Sequence, residues 1–103
     1  MIVTVTSDAV ELSDADNLKQ LHLSCASTLP LTTIDAVLRR TDMGHIDHDH
    51  VYLNIDGLRR RRECHGFVDE AAFNRMVEYA TSKQWISADG SAVRAHIVRT
   101  ETL

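Results

Sequence analysis

The sequence predicts an α+β fold in which three helices pack on one side of a small, largely antiparallel sheet. Three observations predict it. Short stretches alternate apolar and polar residues, longer stretches repeat apolar residues at helical spacing, and Asp89-Gly90 is a strong β-hairpin signal near the C-terminus. The 103 residues fit a single domain over residues 1–103, and 44% apolar residues suffice for a core without a metal or a disulfide.

The first third of the chain predicts a strand and a helix. Ile2–Thr6 carries β-branched residues in alternation, and its short length suits an edge strand or pairing with a partner chain. Ser13 with Asp16 three residues later resembles a capping box. Helical spacing of apolar residues follows at Leu18, Leu21, His22 and Cys25. An amphipathic helix of about four turns is therefore expected, ending at Pro30.

A second, shorter helix follows. Thr32 or Thr33 can cap it, and the pair Arg39-Arg40 suits the negative end of its dipole. Its buried stripe comprises Ile34, Val37 and Leu38. The pattern stops at Gly44, which begins a segment rich in histidine and aspartate.

The second half predicts a strand, a helix and a hairpin. Val51–Ile55 alternates with period two and ends at Asp56-Gly57, and a turn of helix is expected at Leu58–Arg62. Asp69-Glu70 opens a helix that ends near Lys83. The closing hairpin joins Trp85–Ala88 to Ser91–Arg99.

Composition narrows the function classes. The net charge of −4 and the 5% aromatic content disfavour nucleic-acid binding, which relies on basic and stacking side chains. No apolar run approaches a membrane span and no basic leader precedes the first strand, so we expect a cytoplasmic protein. Cys25 and Cys64 are expected as free thiols.

The segment Asp42–His50 is the strongest chemical candidate. On an extended strand, His48 and His50 share a face and can bind one ion if a third ligand arrives from elsewhere. The candidate metal ligands are His45, Asp47, His48, His50 and His65, and Asp42, Cys64 and His96 are also available as the third ligand. No cofactor is required for folding, and zinc or nickel suits this set. The alternatives are a small acid–base enzyme using the same segment and a solvated loop.

Two further candidates carry charge or sulfur. Arg59, Arg60, Arg61 and Arg62 can contact an anion or an acidic partner, or form a solvated turn paired with the aspartates. His22 and Cys25 share the apolar stripe of the predicted first helix, and Cys64-His65 places a thiol beside a base.

The order of elements over residues 13–99 also permits a winged-helix-like fold. Its DNA contacts would come from Arg75, Arg94, His96 and Arg99, with Asp89-Gly90 at the tip of the wing. The charge balance and the intervening strand fit this alternative badly.

No serine-hydrolase elbow, P-loop or dinucleotide motif occurs in the sequence. We therefore expect a small cytoplasmic interaction or assembly module. A homodimer is expected, in which a second copy or another protein covers an exposed strand or helix face.

Overall fold

The structure is a computed structural model that describes residues 1–67 and 69–100. It is an α+β arrangement of one six-stranded mixed sheet and three helices. The strands are β1 (Ile2–Val5), β2 (Val10–Ser13), β3 (His22–Ala26), β4 (Gly44–Asp47), β5 (His50–Asn54) and β6 (Ala92–Thr100). The helices are α1 (Leu31–Arg40), α2 (Ile55–Cys64) and α3 (Glu70–Ser82).

The strands lie in the order β2-β1-β3-β6-β5-β4. β3 pairs in parallel with both β1 and β6, whereas β1 with β2, β4 with β5 and β5 with β6 pair antiparallel. The predicted largely antiparallel sheet is therefore only partly confirmed, because its centre is parallel.

One face of the sheet is buried and the other is partly open. Val3, Leu23, Val51 and Leu53 point to the buried face and belong to one core with helix residues such as Leu38, Leu58 and Phe73. Burying each such side chain contributes about 1.5–3 kcal/mol. Alternate residues of the same strands point to the opposite face, where they are half-buried or exposed.

The helix predicted from Ser13 to Pro30 is wrong. The segment instead forms the end of β2, a turn and β3. In β3, Leu23 and Cys25 are buried while His22 and Ser24 are half-exposed, which is the period of a strand. Pairing with β1 on one side and β6 on the other satisfies the backbone of β3 and overrides the helical spacing.

The N-terminal strand lies inside the sheet and not at its edge. β1 has β2 on one side and β3 on the other, so its backbone has no unpaired edge to offer a partner chain. The edge strands of the described sheet are β2 and β4.

The second and last predicted helices are confirmed as α1 and α3. α1 starts after Pro30 without a side-chain cap, and Asp35 instead accepts a hydrogen bond from the Ile46 amide at 2.8 Å, which ties α1 to β4. That bond is the main reason why the pKa of Asp35 lies below its ordinary value. Asp69 caps α3 through the Ala72 amide.

α2 is longer than the predicted single turn, because it begins at Ile55, directly after β5. The predicted strand Val51–Ile55 is observed one residue earlier, as β5. Gly57, expected to end that strand, lies inside α2 against the sulfur of Met43.

The C-terminal hairpin is partly confirmed. Ile86 pairs with Val93 across the Asp89-Gly90 turn, but only as an isolated bridge. The winged-helix alternative is wrong, because the segment that would supply its first helix forms β2 and β3, and β6 lies in the middle of a six-stranded sheet.

Gly44 is required by the close approach of β4 and β5. Its φ is +151°, and a Cβ atom there would overlap the carbonyl oxygen of Tyr52 on the paired strand. Only glycine fits this position without displacing backbone.

We expect Gly44→Ala to lower the free energy of unfolding by about 3 kcal/mol or more, measured by urea denaturation. The matched control is Gly90→Ala, where φ is +76° but no atom lies within 4 Å of the added Cβ. The control should cost only about 1–2 kcal/mol. Equal losses at the two positions would contradict the steric argument.

Candidate functional site

Three histidines lie side by side across the centre of the sheet. His96 on β6 is the direct partner of His22 on β3 and of His50 on β5. Direct partners point to the same face on strands about 4.8 Å apart, so the three imidazoles form a row, called here the histidine row. The rings of His50 and His96 have centroids 5.6 Å apart.

The histidine row borders a groove of about 450 Å³. Its lining residues come from the sheet, from α3 and the Trp85 that follows it, and from the segment that leads into β3. Its apolar lining includes Leu18, Leu21, Met76, Tyr79, Trp85 and Val98. Its polar lining includes Lys19, His22, His50, Arg94 and His96. This volume lies within the range of small-molecule sites.

Apolar surface is exposed at the rim of this groove. Tyr79 is 57% exposed, Val98 41% and Trp85 38%, and Tyr79 meets Trp85 edge to face with ring centroids 6.0 Å apart. These three are among the five large apolar side chains that are exposed in the described part of the chain; the others are Leu31 and Phe67. Exposed apolar surface is thus concentrated at the groove.

The charge of the groove is opposite in sign to that of the chain. Among the described residues that line it there is no aspartate or glutamate, although the chain as a whole carries −4. Two carboxylates of the β4–β5 turn lie beside histidines: Asp49 pairs with Nδ1 of the groove residue His50 at 2.9 Å, and Asp47 pairs with His48 at 2.7 Å.

The C-terminal turn holds Trp85 in place. The Arg94 amide donates to the Trp85 carbonyl, and the Ser87 amide donates to the Ala92 carbonyl. Asp89 accepts hydrogen bonds from the hydroxyls of Ser87 and Ser91, which lowers its pKa to about 2. Asp89 therefore remains an ionised acceptor over the ordinary pH range.

The predicted histidine segment is divided between two surroundings. His45 stacks on Tyr52 with ring centroids 5.5 Å apart. His48 lies in the turn between β4 and β5 with φ +58°, so the strand does not extend back through it and the expected shared face with His50 does not form. His50 belongs to the groove, and His65 lies beyond the end of α2.

Within residues 1–67 and 69–100, no three side chains of histidine, cysteine, aspartate or glutamate are grouped so that they could hold a metal ion. Zinc or nickel binding by the predicted set, and acid–base catalysis by the same segment, stay predictions.

Each predicted arginine contacts another part of the protein. Arg59 pairs with Asp56, and Arg60 with Asp42. Arg61 donates to the Val10 carbonyl, and the buried Arg62 donates to the Ala15 carbonyl at 3.0 Å. Contact of these four arginines with an external anion or partner stays a prediction. Arg61 and Arg62 tie α2 to β2 and to the turn that follows it.

The cysteines do not join the histidines. His22 and Cys25 lie on opposite faces of β3, because three residues along a strand reverse the side, so their predicted common stripe is wrong. Cys25 is buried, and burial raises the pKa of its thiol. Cys64 is exposed next to His65 at the end of α2.

Sequence reasoning missed the groove. The alternation of Arg94, His96 and Val98 with Val93, Ala95 and Ile97 was available as a strand signal. The alignment of His96 with His22 and His50 could not be predicted from the sequence, because it depends on which strands pair.

The chain matches no protein-family model, no curated protein and no solved structure in the three comparisons made. In the part of the chain that the structure describes, no helix has the length and apolar content to cross a membrane.

The buried Arg62 predicts a stability effect. Its guanidinium also lies against the rings of Phe73 and Phe67, at 5.5 and 5.8 Å from their centroids. Arg62→Ala should lower the free energy of unfolding by about 2–4 kcal/mol in chemical denaturation, because it leaves a buried carbonyl unpaired and removes packing.

The matched control is Arg60→Ala, whose exposed pair with Asp42 spans 3.4 Å. That change should cost less than about 0.5 kcal/mol. Similar losses for both variants would show that the buried hydrogen bond and aromatic packing of Arg62 do not stabilise the fold.

Proposed function

We propose that the protein binds a small molecule in the groove. The observation that carries the proposal is the coincidence of the groove with exposed apolar side chains that include the only tryptophan of the chain. A mostly apolar concavity with a few polar groups is the usual form of a ligand site.

The surrounding structure supports a preformed site. One wall is the centre of the sheet, where β6 is paired on both sides, and a second wall is α3, whose Ala80 belongs to the core. Rigid elements of this kind hold side chains in place before a ligand arrives, which reduces the entropy lost on binding.

The free thiols of Cys25 and Cys64 support a cytoplasmic location, which is part of the same proposal.

The test uses 4-phenylbutanamide, a neutral probe that is transparent where tryptophan is excited selectively. Titration should change the emission of Trp85 with a dissociation constant of about 1 mM or tighter, as a ligand of this size permits. Amide shift mapping by NMR should place the changes on groove residues and leave α1 unchanged.

Two neighbouring variants on α3 provide the control. Met76→Glu puts a charge on the apolar wall and should weaken binding at least threefold, whereas Arg75→Glu lies outside the groove and should not. The proposal fails if the probe leaves Trp85 emission unchanged, or if shifts spread evenly over the protein.

A second function is favoured by the same exposed surface. We propose as the alternative that a second copy of the chain covers Tyr79, Trp85 and Val98, giving the homodimer and interaction module expected from composition. β1 no longer supports this dimer, because it lies inside the sheet.

Sedimentation between about 1 and 100 µM tests the alternative. A dimer should appear with rising concentration and be lost in Val98→Glu. It should persist in Leu31→Glu, which changes a similarly exposed residue at the start of α1. A monomer throughout this range rejects the dimer and leaves ligand binding unaffected.

A further inference from the structure

We propose that the ligand is an organic anion, namely a carboxylate with an aryl or alkyl body. Its charged end binds Arg94, His22 and His96, and its body lies against Trp85, Tyr79 and Met76. This inference rests on the proposed function of the groove and names the chemical class of its ligand.

The charge of the groove favours an anionic ligand. Lys19 and Arg94 line the groove together with the three histidines, and none of the described lining residues is acidic. A carboxylate entering the groove therefore meets hydrogen-bond donors and positive charge, in a chain whose remaining surface is on balance negative. The same positive charges would repel a cationic ligand.

Arg94 is the groove residue best suited to bind a carboxylate. Seven of the nine arginines donate a side-chain hydrogen bond to another group of the protein: Arg39, Arg40, Arg59, Arg60, Arg61, Arg62 and Arg99. Within the described residues, the guanidinium groups of Arg75 and Arg94 make no such bond, and of these two only Arg94 lines the groove. Guanidinium binds a carboxylate through two parallel hydrogen bonds.

The histidine row provides further hydrogen-bond donors beside Arg94. Asp49 Oδ1 lies 2.9 Å from Nδ1 of His50, so the single N–H of a neutral His50 faces that carboxylate and not a ligand. Within the described residues, the side chains of His22 and His96 form no hydrogen bond to the protein, and the histidine ring that does form one is that of His48. A neutral imidazole supplies one N–H donor, so His22 and His96 each add a donor at a position that strand pairing fixes.

The apolar side of the groove suits the aryl or alkyl body of the ligand. Trp85 and Tyr79 present ring surface at the rim, and Met76 extends this surface on α3. An aryl or alkyl body buried there loses water contact while its carboxylate stays at the polar end.

The experiment compares 4-phenylbutyrate with 4-phenylbutanamide, which differ only in the charged group, by Trp85 emission at 0.15 M salt with a chelator present. The carboxylate should bind at least about tenfold more tightly than the amide, the factor expected for one charge-assisted hydrogen bond. The chelator ensures that a bound metal does not supply the positive charge.

Arg94→Gln should reduce the preference for the carboxylate over the amide to less than about threefold. The matched control is Arg75→Gln, which removes the other arginine without a side-chain partner and should retain the full preference. Folding of each variant is checked by its thermal midpoint.

The role of the row is tested by His96→Phe, with His65→Phe as its control outside the groove. His96→Phe should weaken the carboxylate at least threefold more than it weakens the amide, and His65→Phe should change neither. Should His96→Phe destabilise the fold, His22→Gln with unchanged thermal midpoint supplies the same comparison.

The inference is overturned if the wild-type protein binds both probes equally, a result that leaves the groove as a neutral-ligand site. It is also overturned if Arg75→Gln removes the preference as fully as Arg94→Gln, since a general charge effect would then explain it. If neither probe alters Trp85, the proposed function fails together with this inference.

Discussion

The pairing of β6 at the centre of the sheet is the constraint on which the rest of the structure depends. β6 joins in parallel to β3 and antiparallel to β5, so it connects the N-terminal strands with the β4–β5 hairpin. The same two ladders place His22, His96 and His50 opposite one another. A shift of one residue in either ladder would move a histidine to the buried face, where an unpaired imidazole is costly.

Charge is used in this protein for two different purposes. Arg61 and Arg62 reach from α2 to backbone carbonyls near β2, where they act as ties between elements. Arg94 stands on the open face of the sheet without such a bond in the described residues. The sequence shows four adjacent arginines far more prominently than the single Arg94, so prominence in the sequence is a poor guide to the availability of a side chain.

Local patterns predicted the local elements well. The stripe of α1, the capped start of α3 and the period-two segment of β5 follow from side-chain spacing alone, and all three are observed. The failures lie where distant pairing decides. Leu18, Leu21, His22 and Cys25 have helical spacing, but β3 gains two strand neighbours that no local rule reveals. For the same reason His22 and His96 could not be joined to His50 before the strand order was known.

The order of the strands along the chain has a consequence for how the protein is made. β6 fills the middle of the sheet but emerges from the ribosome after every other described strand. Until then β3 and β5 each lack a neighbour and expose backbone that can pair with other chains. Contacts between residues far apart in the sequence form slowly, so these two strand edges stay open to such pairing until β6 has emerged.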